Sequence, residues 1–187
     1  MDNLVLEEFD NDIETLENSE EFNDSRFINY NFTKFNFSGK RFKNCEFKAC
    51  SFSACIIDGT KMQDVKFLDS KIFGLDFSKI HNTILSISFT NCYLKYNLFF
   101  GNKLERTVFK KCKIEECRFM ETNLENAVFE MCALPGSSFE KCNLKKCDFS
   151  TAKEYYIDLD RNGVAKAKFS YPEVMNYLSK YKIEIIY

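Results

Sequence analysis

The sequence predicts an all-β solenoid, a stack of short bent strands, and three observations carry that prediction. An apolar residue falls on every fifth position from Phe22 to Phe77 and, after a slip of two residues, on every fifth position again from Ile84 to Phe149. A second column, two residues before each of these, holds mostly small residues, and all nine Cys lie in it. Phe occurs 21 times in 187 residues, while Trp is absent and Gly, Pro and His number six, two and one. A period of five fits neither the 3.6 of an amphipathic helix nor the 2 of a plain strand. Self-similarity at a fixed period marks units that bury their apolar face only against neighbouring copies.

Taken in order, residues 1–21 form an acidic N-terminal cap segment. Residues 1–25 hold ten acids and no Lys or Arg, so the rest of the chain carries 18 acids against 26 bases. Leu6, Phe9, Ile13 and Leu16 are spaced like a helical stripe, and an irregular cap over the first coil would place them equally well. The repeat region is 22–169. The slip between Phe77 and Ile84 predicts a bulge at one corner, near 78–83, with His81 in it as an exposed loop residue. Glu154 then occupies a position where an apolar residue is expected, and Leu159, Val164 and Phe169 recover the phase. Residues 170–187 read as a helix followed by a strand. Pro172 suits the first helical turn, Val174, Tyr177, Leu178 and Tyr181 make one apolar face, and Ile183, Ile185 and Ile186 lie in the strand.

The nine Cys invite a metal or disulfide reading, but the spacing opposes both. Recurrent C-x4-C differs from the C-x2-C loops that converge two thiolates on one ion, and the odd count disfavours a disulfide framework. The thiols are therefore expected to be free core filler, with no metal and no cofactor. A single His and the absence of H-E-x-x-H, Walker and G-x-G-x-x-G signatures leave no catalytic constellation, so no enzyme is expected. No apolar run approaches the length of a membrane span, and the acidic start is unlike a signal peptide. A cytoplasmic protein that does not engage membranes is expected.

Segments such as Cys117-Arg-Phe-Met-Glu, Thr122-Asn-Leu-Glu-Asn and Ala127-Val-Phe-Glu-Met match the A(D/N)LXX pattern. The chain thereby resembles the pentapeptide-repeat proteins, over about 22–169. The resemblance implies a right-handed quadrilateral β-helix in which four pentapeptides make one square turn and both the small residue and the Leu or Phe point inward. Within that frame the strict alternation of Phe with Leu or Ile from Ile84 to Phe149 puts Phe on two opposite walls. Phe89, Phe109, Phe129 and Phe149 form one core ladder, and Phe99, Phe119 and Phe139 the other.

The ending is similar to that of the quinolone-resistance (Qnr) and microcin-immunity members. This similarity implies a homodimer through Val174, Tyr177, Leu178, Tyr181, Ile183, Ile185 and Ile186. It also implies DNA mimicry and binding of a type II topoisomerase, DNA gyrase or topoisomerase IV, without direct binding of nucleic acid. Two adjacent walls carry a basic excess that includes Arg41, Lys43, Lys61, Lys103, Arg106, Lys110, Lys111, Lys145 and Lys146, and outside the N-terminus no acidic stripe is evident. That balance favours a second expectation, a rigid interaction scaffold, with Tyr93, Tyr96, Phe100, Met120 and Met131 as its exposed apolar patch.

Overall fold

Each pentapeptide buries two side chains, the small residue and the apolar residue two places on, and then turns a corner. The computed structural model describes residues 7–9, 13–81, 83, 85–181 and 183–184. Parallel strands stack in about seven turns to give the all-β solenoid. We name the walls by their central residues. Wall A runs Phe22, Phe42, Met62, Leu104, Leu124 and Leu144. Wall B runs Phe27, Phe47, Phe67, Phe89, Phe109, Phe129, Phe149 and Phe169. Wall C runs Phe32, Phe52, Ile72, Leu94, Ile114 and Leu134, and wall D Phe37, Ile57, Phe77, Phe99, Phe119 and Phe139. Register partners lie twenty residues apart, as in Phe109 with Phe129 and Leu94 with Ile114. Walls A and B share an 11-stranded sheet, while walls C and D contain four-stranded and three-stranded sheets.

The wall B rings form one continuous column. Phe27 and Phe47 stack with centroids 4.7 Å apart, Phe89 and Phe109 at 5.1 Å, Phe109 and Phe129 at 4.7 Å, and Phe149 and Phe169 at 5.8 Å. Wall D repeats the arrangement, with Phe77 and Phe99 at 4.5 Å and Phe119 and Phe139 at 4.8 Å. Rings of the two ladders meet edge-on, as Phe129 meets Phe139 at 85°. Offset stacks within a ladder and edge contacts between ladders are the two arrangements an aromatic quadrupole favours.

The small-residue column has a second duty beyond fitting the space. Its side chains donate to the carbonyl of the central residue 23 positions earlier: Thr60 Oγ1 to Phe37 O at 2.9 Å, Cys55 Sγ to Phe32 O at 2.9 Å, Thr122 Oγ1 to Phe99 O at 2.7 Å, and Asn162 Nδ2 to Phe139 O at 3.0 Å. Cys, Ser, Thr and Asn share the slot because each is a small donor. The exceptions Tyr30, Phe35 and Lys40 belong to the first coil. Lys40 is buried and makes the same bond with a longer arm: its Nζ donates to Glu17 O, 23 positions earlier, at 3.1 Å, and to Ser19 O at 2.7 Å, at the end of the helix Ile13–Asn18.

Corners are made by residues in the left-handed region, and most are not glycine. Ala54 (φ 53), Lys111 (φ 54), Glu121 (φ 52) and Met131 (φ 54) all turn this way. The stacked hydrogen bonds on both sides of each corner hold the backbone where an isolated L-residue would rarely go.

Across the slip the register widens to 22, as in Phe67 with Phe89, and shifts once more between Met62 and Val65. The added residues follow a 3-10 turn at Phe77–Lys79. Ile80 is buried, and the exposed His81 donates its backbone N–H to Thr60 O at 3.0 Å. Ile84 lies outside the described residues.

Both ends differ from expectation. Glu7–Phe9 is a strand paired in parallel with residues 25–27, so the stripe through Phe9 is not helical, and helix occupies only Ile13–Asn18. A free parallel edge accepts a further strand readily, which explains the choice. Leu6 lies outside the described residues. At the other end the helix Glu173–Tyr181 is of the 3-10 type. Ile183 and Glu184 carry no strand, and Ile185 and Ile186 lie outside the described residues.

Candidate interaction surface

The solenoid interior is filled, so chemistry is confined to outward side chains. Among the described residues no group of His, Cys, Asp and Glu is placed to hold a metal ion. The His81 ring meets Thr83, whose Oγ1 lies 2.8 Å from Nδ1. The nine thiols are free, and eight are buried, with Cys55 partly so. Burial pushes the Cys50, Cys55 and Cys117 thiols up to about 11, which keeps them protonated and unreactive at neutral pH.

On walls A and B much of the basic excess is paired across coils. Arg41 pairs with Glu21, Arg26 with Glu46 at 3.0 Å, Lys110 with Glu130 at 2.8 Å, Lys145 with Glu125 at 3.1 Å, and Lys168 with Asp148 at 3.0 Å. Stacking at a twenty-residue interval sets opposite charges side by side, the sheet counterpart of a helical i,i+4 pair. On wall C, Glu115 is gripped by Lys113, by Lys95 Nζ at 2.6 Å and by Tyr93 OH at 2.7 Å. These partners, Lys113 foremost, hold its carboxyl down to about 2.

Wall D and its corners with walls C and A have the opposite balance. Between residues 26 and 169 there are 16 acids, the 28 of the chain less ten before Arg26 and Glu173 and Glu184, and 24 bases, the 26 less Lys180 and Lys182. Eight of those acids lie on this strip: Asp58, Asp76, Glu116, Glu121, Glu140, Glu154, Asp158 and Asp160. Five bases share it, Lys34, Lys79, Arg118, Lys141 and Arg161, so the strip is net negative on a net positive body. The acidic stripe is not evident in the linear sequence because its members are scattered at uneven intervals between residues 58 and 160.

Of the five expected patch residues the fold brings two together: Phe100 and Met120 are register partners on wall D, while Tyr96 is exposed at the corner between walls C and D. Tyr93 is half-buried against Phe73, and Met131 sits at the corner between walls B and C, away from the others.

Of the seven residues expected to dimerise, Ile185 and Ile186 lie outside the described residues. Three residues per turn align Val174 with Tyr177 and separately Leu178 with Tyr181. Val174 and Tyr177 pack toward Tyr155, Leu159 and Phe169 on the last coil, whereas Tyr181 and Ile183 are exposed. Lys180 fastens the helix, pairing with Asp160 and with Asp158 at 3.6 Å and lying over the Tyr177 ring at 4.0 Å.

Residues 82–169 match the family model described as a pentapeptide repeat region. Those residues form a pentapeptide-repeat region. Among solved structures, the chain is similar to a trypsin-treated variant of QnrB1, a plasmid-mediated fluoroquinolone resistance protein, at 20% identity and a TM-score of 0.50, covering 89% of this chain and 90% of that one. It is also similar to full-length QnrB1, at 18% identity and a TM-score of 0.44 over 95% of each chain. HetL, a pentapeptide-repeat protein of the cyanobacterium Nostoc involved in heterocyst differentiation regulation, matches at 10% identity and a TM-score of 0.34 over 84% of this chain and 91% of that one. No curated protein matches the chain. Among the described residues no helix is long and apolar enough to cross a membrane.

Proposed function

We propose that the protein is a non-enzymatic, cytoplasmic, protein-binding β-helix that imitates DNA and binds a type II topoisomerase, DNA gyrase or topoisomerase IV, protecting it from a quinolone or a peptide toxin. The observation that carries this reading is the segregation of charge, with half the acids of residues 26–169 gathered on wall D and its two corners. A row of carboxylates along a rigid rod is what a DNA-binding groove lined with Lys and Arg attracts. The similar solved structure bears the description of a fluoroquinolone resistance protein, which supports the choice of partner. Exposed Tyr181 and Ile183 at the C-terminal end support association of two copies there.

Purified protein is expected to inhibit gyrase supercoiling or reduce quinolone-stabilised cleavage, to compete with duplex DNA, and to lose that competition steeply as salt rises. No effect on either reaction across stoichiometric ratios would eliminate the topoisomerase reading. The basic balance of walls A to C favours a second reading, a rigid scaffold for another partner, which would leave both reactions untouched.

A further inference from the structure

Wall D stops one coil before the other three walls. Wall B continues to Lys168–Phe169, wall C to Lys153 and wall A to Gly163, whereas the last strand of wall D is Ser138–Glu140. The cause is the break in the repeat at Glu154. This residue is exposed at φ 59, Tyr155 turns inward in its place, and Tyr155–Asp158 form no strand. In other coils the central N–H donates to the carbonyl 19 residues on, as Leu134 does to Lys153 at 3.0 Å and Leu144 to Gly163 at 2.8 Å. For Phe139 no described residue accepts that hydrogen bond, and pairing resumes one place late, from Lys141 N–H to Arg161 O at 3.2 Å.

The gap is a cleft of about 590 Å3 between Ser138–Glu140 and the looped segment, with Asn176 of the terminal helix at its side. Glu140, Glu154, Asp158 and Arg161 line it; Arg161 stands 3.9 Å from Glu140 and 3.8 Å from Asp158, and Lys180 reaches Asp158 at 3.6 Å, which leaves the carboxylates in excess. Glu154 is in no ion pair among the described residues. The ring of Tyr156, 48% exposed, borders the cleft.

We propose that this cleft binds an extended basic segment of a partner protein. A backbone donor on a sheet edge asks for a main-chain carbonyl, as in strand addition, and the three carboxylates ask for Lys or Arg on alternate residues. Tyr156 offers its ring face to the same cations. A small cation alone would leave the Phe139 N–H without an acceptor, and an acidic peptide would face a net negative wall. The volume lies within the range of sites that hold small ligands or a few peptide residues. The inference rests on the protein being a binding rod and holds whether or not a topoisomerase is its partner.

The test uses the full-length protein and a fluorescein-labelled nonapeptide of alternating Arg and Val, with an alternating Glu and Val peptide as control. Fluorescence anisotropy should show saturable binding of the Arg-Val peptide only, and the Phe139 amide should shift in a heteronuclear NMR spectrum. Combining Glu140→Gln with Glu154→Gln should weaken binding about tenfold. Removing the same charge from walls A and B, with Glu125→Gln and Glu130→Gln, should change it by less than about twofold. Equal loss in both double variants, an unmoved Phe139 amide or equal binding of the Glu-Val peptide would each overturn the proposal. Gyrase assays on the same variants separate the two readings. A cleft variant that loses the peptide but still protects gyrase leaves the topoisomerase reading intact, and peptide binding without any gyrase effect leaves only the cleft.

Discussion

At the residue scale, the inward column illustrates how a packing constraint and a hydrogen-bonding constraint coincide. The column is legible in the sequence as a run of small residues, and its occupancy by Cys as core filler follows from that. The donor role is not legible, because the acceptor, a carbonyl 23 positions earlier, has no signature of its own. A consequence for pH follows from the thiols. An unfolded thiol titrates near 9, while burial raises Cys50, Cys55 and Cys117 to about 11 in the fold. Since the folded value is the higher, these groups contribute their full stability below pH 9, and the contribution is lost as pH rises toward 11. Urea midpoints at constant ionic strength should therefore be level from pH 7 to about 8.5 and fall between about 9 and 11. A variant with all three Cys replaced by Ser should fall less over that window, and an equal fall would show that other groups govern the alkaline limb.

At the scale of the element, the unit of stability is the ladder rather than the strand, since no strand but Lys61–Leu68 exceeds six residues among those described. The alternation of Phe with Leu or Ile makes the two Phe ladders legible in advance. The corners were hidden, because Lys, Glu, Ala and Met have no intrinsic preference for positive φ, and only the register of neighbouring coils places them there. The terminal helix illustrates the same limit. Its residues suit an α-helical face, but Val174 and Tyr177, three apart, both meet the last coil, and eclipsed turns of three satisfy that contact. The ladder makes a graded prediction. Phe109 is fully buried between Phe89 and Phe129, so Phe109→Ala should cost about 3–5 kcal/mol in equilibrium unfolding. Phe169 ends the column, half-buried with its nearest stacked ring, Phe149, at 5.8 Å, and Phe169→Ala should cost less than half as much. Equal costs would mean that the column does not act through stacked neighbours on both sides.

For the whole molecule, stacking converts sequence separation into short distances, and the distribution of surface charge follows from that conversion. The acidic strip and the cleft at the end of wall D each draw on residues that the chain scatters across several coils, which is why the repeat predicts the scaffold far better than it predicts the surface. The C-terminal end is where a solenoid must either be capped or find a second copy. Val174, Tyr177 and Lys180 close part of it, yet Val164 and Phe169 remain half-buried where the equivalent Leu144 and Phe149 of the preceding coil are fully buried. Tyr181 and Ile183 are 54% and 55% exposed beside them. A homodimer through this end would cover all four. Sedimentation or light scattering at tens of micromolar, a range in which even weak dimers assemble, should give a dimer for the full chain. Tyr181→Asp with Ile183→Asp places two charges where the partner copy would bury them and should give a monomer with an unchanged circular dichroism spectrum. A monomeric full-length protein, or a dimer indifferent to both substitutions, would move the association away from the C-terminal end.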